Sequence, residues 1–165
     1  MSDEQPKPEY QRFDTEAEWQ QAIDRLVGLR GRELRIFDPE LTSLRLNAPE
    51  RIALFEKFLQ ASRTRRLFLV AHDSEHLTRR CPRMMQLLAR FSHAIQINRT
   101  HEAIRNIQDA FLVLDARHYV RRPVAAFFRG AIGLADETEA LAMRGRFNEI
   151  WAASYPAVSA STVGL

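Results

Sequence analysis

The sequence is poor in cysteine and lysine, and it has no apolar run long enough to cross a membrane. Its one cysteine, Cys81, cannot form an internal disulfide, which is typical of a reducing compartment. No stretch reaches the roughly 18–20 apolar residues of a membrane span, and the polar start, MSDEQPKPEYQRF, lacks the apolar core of a secretory signal. These absences predict a cytoplasmic protein without a membrane span.

The shortage of lysine makes the basic charge almost entirely arginine. Of the 24 basic residues only Lys7 and Lys57 are lysines, and the formal net charge is +3. Guanidinium groups suit the geometry of phosphate and carboxylate better than ammonium groups do. The arginines therefore indicate either an ordinary solvated surface or an anionic ligand, and three clusters are candidates: Arg63/Arg65/Arg66, Arg79/Arg80/Arg83 and Arg121/Arg122.

The chain is short enough for one domain, and 45% hydrophobic residues suffice for a core. We expect a disordered tail over 1–12, a single domain over 13–155 and a C-terminal tail over 156–165. No internal repeat and no long linker divides the chain.

Hydrophobic patterning predicts an α/β fold. Thr15 and Glu18 form a capping box before a helix that Gly31 ends, and Asn47 caps a second helix. Strands are predicted at Glu33–Phe37, Leu67–Ala71, Ala94–Ile97, Ala110–Leu114, His118–Pro123 and Phe127–Leu134, and Asp136 caps a last helix. The alternating first half requires crossovers, so we expect a mixed, mainly parallel sheet with helices on both faces.

Several polar residues are candidates for chemistry, each with a plainer alternative. His72, Asp73, Glu75 and His76 form either a metal site or a polar loop, and their spacing matches no known metal motif. Cys81 is either a nucleophile or a packed apolar side chain. Asp115 is either a catalytic or ligand-orienting carboxylate or a residue that ends a strand in a turn. We predict no metal and no cofactor.

The hairpin of residues 109–123 resembles one module of the phospholipase D superfamily. That family carries His-x-Lys, four residues, then Asp after an apolar strand, and the histidine attacks phosphorus while the lysine binds phosphate. Here Asp115 follows the apolar run Phe111–Leu114, but Gln108 and Ala110 occupy the histidine and lysine positions. Arg122-Pro123 replace the family's small residues, and Ala125 replaces its Asn. Phe147 and Trp151 resemble its aromatic ending.

The resemblance implies a phospholipase D-like fold whose active-site positions Gln108, Ala110 and Asp115 are vestigial, as in an uncharacterised bacterial family without the motif. Glutamine is no nucleophile and alanine holds no phosphate, so we expect a non-catalytic binding or regulatory domain with no catalytic residues. His118, Arg121 and Arg122 are candidates for binding an anion, either phosphate or nucleic acid. Single-module members of the superfamily pair, which implies a homodimer.

Two alternatives remain open. One is a phosphodiester hydrolase with a rebuilt site that uses His118 with Asp115, or His72 with Asp73. The other is a structural protein-interaction domain whose basic surface is incidental.

Overall fold

One sheet of eight strands runs through residues 6–158, the part of the chain that the computed structural model describes. The strands are β1 (Glu9–Phe13), β2 (Glu33–Phe37), β3 (Arg66–Ala71), β4 (Ile95–Thr100), β5 (Ala110–Leu114), β6 (His118–Arg122), β7 (Gly130–Leu134) and β8 (Ser154–Val158). The helices are α1 (Glu16–Val27), α2 (Pro49–Gln60), α3 (Glu75–Arg80), α4 (Pro82–Arg90) and α5 (Glu137–Ala152).

The strand order across the sheet is β1-β7-β6-β5-β2-β3-β4-β8. Strands β2, β3 and β4 are parallel, as the helical crossovers between them require. The other five pairings are antiparallel. The α/β class with a mixed sheet is confirmed, but its parallel part is smaller than predicted. Short connections join β5, β6 and β7, and such connections favour antiparallel neighbours.

Helices cover both faces of the sheet, as predicted. Trp19 of α1, Phe55 of α2 and Met84 of α4 belong to the larger apolar core on one face. Met143 and Phe147 of α5 belong to the smaller core on the other face. Successive strand residues point to opposite faces, so each central strand contributes side chains to both cores.

Two helix caps follow the sequence prediction. The Thr15 Oγ1 accepts a hydrogen bond from the Glu18 backbone N–H at 3.2 Å, and the Thr15 hydroxyl donates to Glu18 Oε1 at 2.9 Å. At α5 the Asp136 Oδ1 accepts from the backbone N–H of Glu139 at 3.2 Å. Each cap satisfies an amide that the first helical turn leaves without a partner.

Other boundaries differ from the prediction. Helix α1 ends at Val27 with Gly28 as its cap, three residues before Gly31. Gly31 has a different role, because a Cβ there would lie 2.6 Å from the Leu114 side chain of β5. Helix α2 starts after Ala48, since Asn47 instead accepts a hydrogen bond from the Arg83 backbone at 3.0 Å.

Both ends of the domain contribute strands where tails were predicted. Residues 9–13 form β1 at one edge of the sheet, and residues 154–158 form β8 at the other. Strand β7 starts at Gly130, and Phe127 lies in the loop before it. The remaining parts of the predicted tails, residues 1–5 and 159–165, lie outside the described residues.

Candidate functional site

Two of the positions singled out by the family resemblance, Gln108 and Ala110, lie at the carboxyl edge of the parallel strands. Strands β2, β3 and β4 end there, and β5 begins there because it is antiparallel to β2. Ligands of open α/β sheets commonly bind outside this edge. Gln108 and Ala110 therefore lie at an edge where ligands of such sheets commonly bind.

An arginine packs beside Ala110. Ala110 is fully buried and lies directly opposite Arg122 of β6. The Arg122 guanidinium is also buried, at 2% exposure, with its carbon 4.6 Å from the Trp19 ring centre and 4.8 Å from that of Phe128. Paired residues on neighbouring strands share a face, so the arginine and its two rings fill the space next to Ala110.

Hydrogen bonds hold Arg122 in this position. Its Nη1 donates to the Ser43 hydroxyl oxygen at 2.8 Å, and its Nη2 donates to the carbonyl oxygen of Ala125. Ser43 in turn donates to Asp38 Oδ2 at 2.9 Å, while Asp38 Oδ1 accepts from the backbone of Leu41 at 2.9 Å. Burial lowers the pKa of Arg122, and the carboxylate of Asp38 opposes that effect. Both terminal nitrogens of Arg122 are thus hydrogen-bonded, whereas its Nε is buried without a hydrogen-bond partner.

Gln108 is exposed but supports its own loop. Its side-chain amide donates to the Arg105 backbone carbonyl at 2.9 Å, and its own backbone carbonyl accepts from the backbone N–H of Ala125 at 2.7 Å. The loop before β5 is thereby tied to the loop after β6.

His72 also has both ring nitrogens occupied. Its Nε2 donates to the Ile107 carbonyl at 2.6 Å, which leaves Nδ1 to accept from the Thr100 hydroxyl at 2.6 Å. Asp73 accepts the backbone N–H of Glu75 at 2.9 Å, at the start of α3. Within residues 6–158 no group of three or more metal-ligating side chains is assembled.

Asp115 lies at the amino ends of the parallel strands, one length of strand β5 away from Gln108. Its backbone has a positive φ of 54°, and its Oδ1 accepts from the backbone N–H groups of Arg32 at 3.0 Å and Glu33 at 2.9 Å. The carboxylate therefore shapes the β5–β6 turn and ties it to the start of β2.

His118 faces the interior at the start of β6. It is 1% exposed, and its Nδ1 accepts from the Ala135 backbone N–H at 2.9 Å. The other ring nitrogen, Nε2, is buried without a hydrogen-bond partner. Burial lowers the pKa of His118, the charge of Arg117 lowers it further, and Asp115 partly offsets both. Neither nitrogen is placed to touch a substrate at the surface.

The predicted anion-binding trio is split between the two faces. His118 and Arg122 point into the larger core, while Arg121 points to the face that carries α5. Arg121 is half-exposed and lies 3.7 Å from the Glu139 carboxylate, which is equally exposed. An exposed pair of this length contributes about 0–1 kcal/mol, so Arg121 is available to a stronger anionic partner.

The other arginine clusters lie elsewhere. Arg65 and Arg66 lie at the amino edge of β3, where the Arg65 guanidinium packs 4.8 Å from the Phe58 ring centre. Arg79 pairs with Glu75 at 2.7 Å on α3. Since the amino edge of β3 is remote from the end of β6, the three clusters do not form one surface.

Cys81 lies in the core between α3 and α4. It is 1% exposed, and burial raises the pKa of its thiol. A protonated, buried thiol is a poor nucleophile, and this geometry suits the packed alternative.

A family model described as "Domain of unknown function (DUF7931)" matches residues 15–160. The chain belongs to this family. None of the functionally curated proteins matches it in sequence. No helix in the described part of DUF7931 is long and apolar enough to span a membrane.

Solved structures show that the DUF7931 domain has a phospholipase D-like fold. Nuc from Salmonella typhimurium, a phospholipase D family member, matches with a TM-score of 0.65 at 12% identity, over 93% of this chain and 100% of Nuc. NucT from Helicobacter pylori matches with a TM-score of 0.62 at 11% identity, over 92% and 100% of the two chains. TrmBL2, an archaeal chromatin protein, matches with a TM-score of 0.67 at 12% identity, over 95% of this chain and 57% of TrmBL2.

Sequence reasoning missed two exposed residues of the DUF7931 domain, Tyr10 and Arg12. Both lie in β1 and line a concavity of about 250 Å³ together with Arg121. The segment Glu9–Phe13 has no alternating apolar pattern, and its pairing with β7 joins distant parts of the chain. No local signal could have identified them.

Proposed function

We propose that this DUF7931 domain is a non-catalytic phospholipase D-like domain that binds an anionic ligand, either phosphate or nucleic acid. One observation supports the non-catalytic part: Arg122 fills the space beside Ala110, the residue that the resemblance assigns to the lysine position, between Trp19 and Phe128. Covalent phosphoryl chemistry needs an accessible nucleophile and a charge that stabilises the phosphoryl oxygens.

The hydrolase alternative receives little support from the same geometry. His72 uses both ring nitrogens in hydrogen bonds within the protein, and His118 has one nitrogen bonded and the other buried. A general base or nucleophile has to reach the substrate within hydrogen-bond distance.

Ligand binding is supported by the arginine-rich surface and by the fold. TrmBL2, which shares the fold, is described as a chromatin protein with a novel mode of DNA binding. In this chain, Arg121 has a half-exposed guanidinium, and guanidinium groups are suited to phosphate.

Two measurements on the purified full chain test this proposal. Incubation with a panel of phosphodiesters and nucleic acids is expected to give no turnover, and turnover that disappears in His118→Asn or His72→Asn would support the hydrolase instead. Fluorescence anisotropy with labelled single-stranded DNA, duplex DNA and RNA is expected to show binding that weakens as salt rises. Absence of binding at low salt would leave the protein-interaction alternative.

We also propose that the domain forms a homodimer, as the superfamily resemblance implies. The supporting observation is an apolar patch after β6, where Val124 is 49% exposed and Phe127 is 66% exposed. These side chains and Pro123 line a concavity of about 400 Å³. Exposed apolar side chains grouped in this way are typical of an interface.

A further inference from the structure

The face of the sheet that carries α5 extends past this helix onto β7 and β1. The side chains of this part of the face are regularly arranged. Two rows of residues cross strands β1, β7 and β6, namely Tyr10–Gly133–Tyr119 and Arg12–Ala131–Arg121. The central strand contributes only a glycine and an alanine, so the longer side chains on either side border a shallow trough of about 250 Å³.

The spacing of the rows suits a nucleotide. Neighbouring strands lie about 4.8 Å apart, so the Cα atoms of Arg12 and Arg121 are separated by about 10 Å across Ala131. Two long guanidinium side chains at that separation can converge on one phosphate. Tyr10 is two residues from Arg12 on the same face, a distance of about 6.6 Å. A base lies one ribose away from its phosphate, which is a comparable span.

The charges of the trough favour an anion. Arg12 has no ion-pair partner within residues 6–158, and Arg121 has only the distant carboxylate of Glu139. Arg129, which is 84% exposed, lies on the rim and is 3.6 Å from the equally solvated Asp14. Three arginines therefore line the trough together with one acidic residue, Glu139.

The two tyrosines of the first row differ in what they can contact. Tyr119 is 4% exposed, and its ring lies so close to Gly133 that a Cβ there would be 2.3 Å from it. Tyr119 therefore forms the floor of the trough. Tyr10 is 60% exposed, and an exposed ring next to arginines is how many proteins stack the bases of single strands.

We propose that this surface binds single-stranded nucleic acid, with Arg12 and Arg121 contacting phosphate and Tyr10 stacking on an unpaired base. We call Tyr10, Arg12 and Arg121 the β-face platform. The inference rests on the proposed anion-binding function and gives it a location away from the vestigial catalytic edge. Single strands are favoured over duplexes because stacking on Tyr10 needs a base that is free of its partner.

Anisotropy with labelled oligothymidylate tests the phosphate contacts. Arg12→Ala and Arg121→Ala are each expected to weaken binding about tenfold and to reduce the slope of log affinity against log salt by about 0.7. Arg63→Ala is the matched control. Arg63 is exposed in the loop before β3, and β3 lies three strands away from β6 in the sheet. This substitution is expected to leave affinity unchanged.

The stacking contact has its own test. Tyr10→Leu is expected to weaken oligothymidylate binding about tenfold, whereas Tyr10→Phe retains it. An abasic oligomer of the same length is expected to bind wild type and Tyr10→Leu equally, since it offers phosphates without bases. Equal loss with both oligomers would argue against stacking.

A variant that binds the oligonucleotide more tightly than wild type distinguishes a direct effect on binding from a loss of folded protein, because misfolding can only weaken binding. Glu139→Gln removes the carboxylate that competes for Arg121 and is expected to tighten binding severalfold. Failure of wild type to bind any anion would contradict the proposed function itself. Binding by wild type that Arg12→Ala, Arg121→Ala and Tyr10→Leu all leave unchanged would overturn the platform alone.

Discussion

At the residue scale, His118 is the titratable side chain whose position has the clearest consequence for stability. Its Nδ1 accepts a hydrogen bond and its Nε2 is buried without a partner. Protonation of Nδ1 would place a second hydrogen-bond donor where the Ala135 N–H already points. The lowered pKa of His118 follows from this burial and from the neighbouring charge of Arg117.

This position predicts a loss of stability in acid. The unfolded chain binds a proton on His118 near the ordinary pKa of 6.5, while the folded chain does so only at lower pH. The free energy of unfolding is therefore expected to be largest above pH 6.5 and to fall as the pH decreases toward the folded pKa. Urea denaturation at several pH values measures this slope.

His118→Asn is the informative variant, because an amide oxygen can still accept from Ala135. In this variant the free energy of unfolding is expected to decrease less as the pH falls below 6.5. His93→Asn, at an exposed position, is expected to leave the decrease as large as in wild type. Equal slopes in wild type and His118→Asn would contradict the prediction.

At the element scale, β6 gives two adjacent arginines opposite environments. Successive residues of a strand point to opposite faces, so Arg122 enters the core between Trp19 and Phe128 while Arg121 faces the trough. The sequence pair that suggests one basic site is divided by the pleat of the strand.

The division predicts different effects of the same substitution. Arg122→Ala leaves a cavity and an unpartnered Ala125 carbonyl, and it is expected to destabilise the domain by about 3 kcal/mol. Arg121→Ala removes one long, exposed ion pair and is expected to change stability by no more than about 0.5 kcal/mol. Urea denaturation compares the two, and equal losses would refute the assignment of faces.

At the scale of the whole molecule, the proposed homodimer is the testable property. Sedimentation equilibrium is expected to give twice the monomer mass for wild type. Phe127→Ser is expected to shift the population toward monomer, because it removes an apolar side chain that is 66% exposed. Tyr155→Ser, which changes a partly exposed ring on β8 near the other end of the sheet, is the matched control. A monomeric wild type would contradict the proposal.

The sequence by itself determined the features that depend on neighbouring residues. The capping box of Thr15 and Glu18, the Asp136 cap, the apolar runs of β3 and β5, and the β5–β6 hairpin are all formed within a few residues. The interpretation of Gln108 and Ala110 as replaced catalytic residues rests on the sequence resemblance to the phospholipase D superfamily and stays a prediction.

Only the tertiary structure decided what depends on pairing between distant segments. Tyr10 and Arg12 lie on the same face as Arg121 because β1 joins β7, which pairs with β6. Arg122 fills the space beside Ala110 because it meets Ser43 and Trp19 from remote parts of the chain. Long-range packing leaves no periodic signal in the local sequence, so these contacts could not be predicted from it.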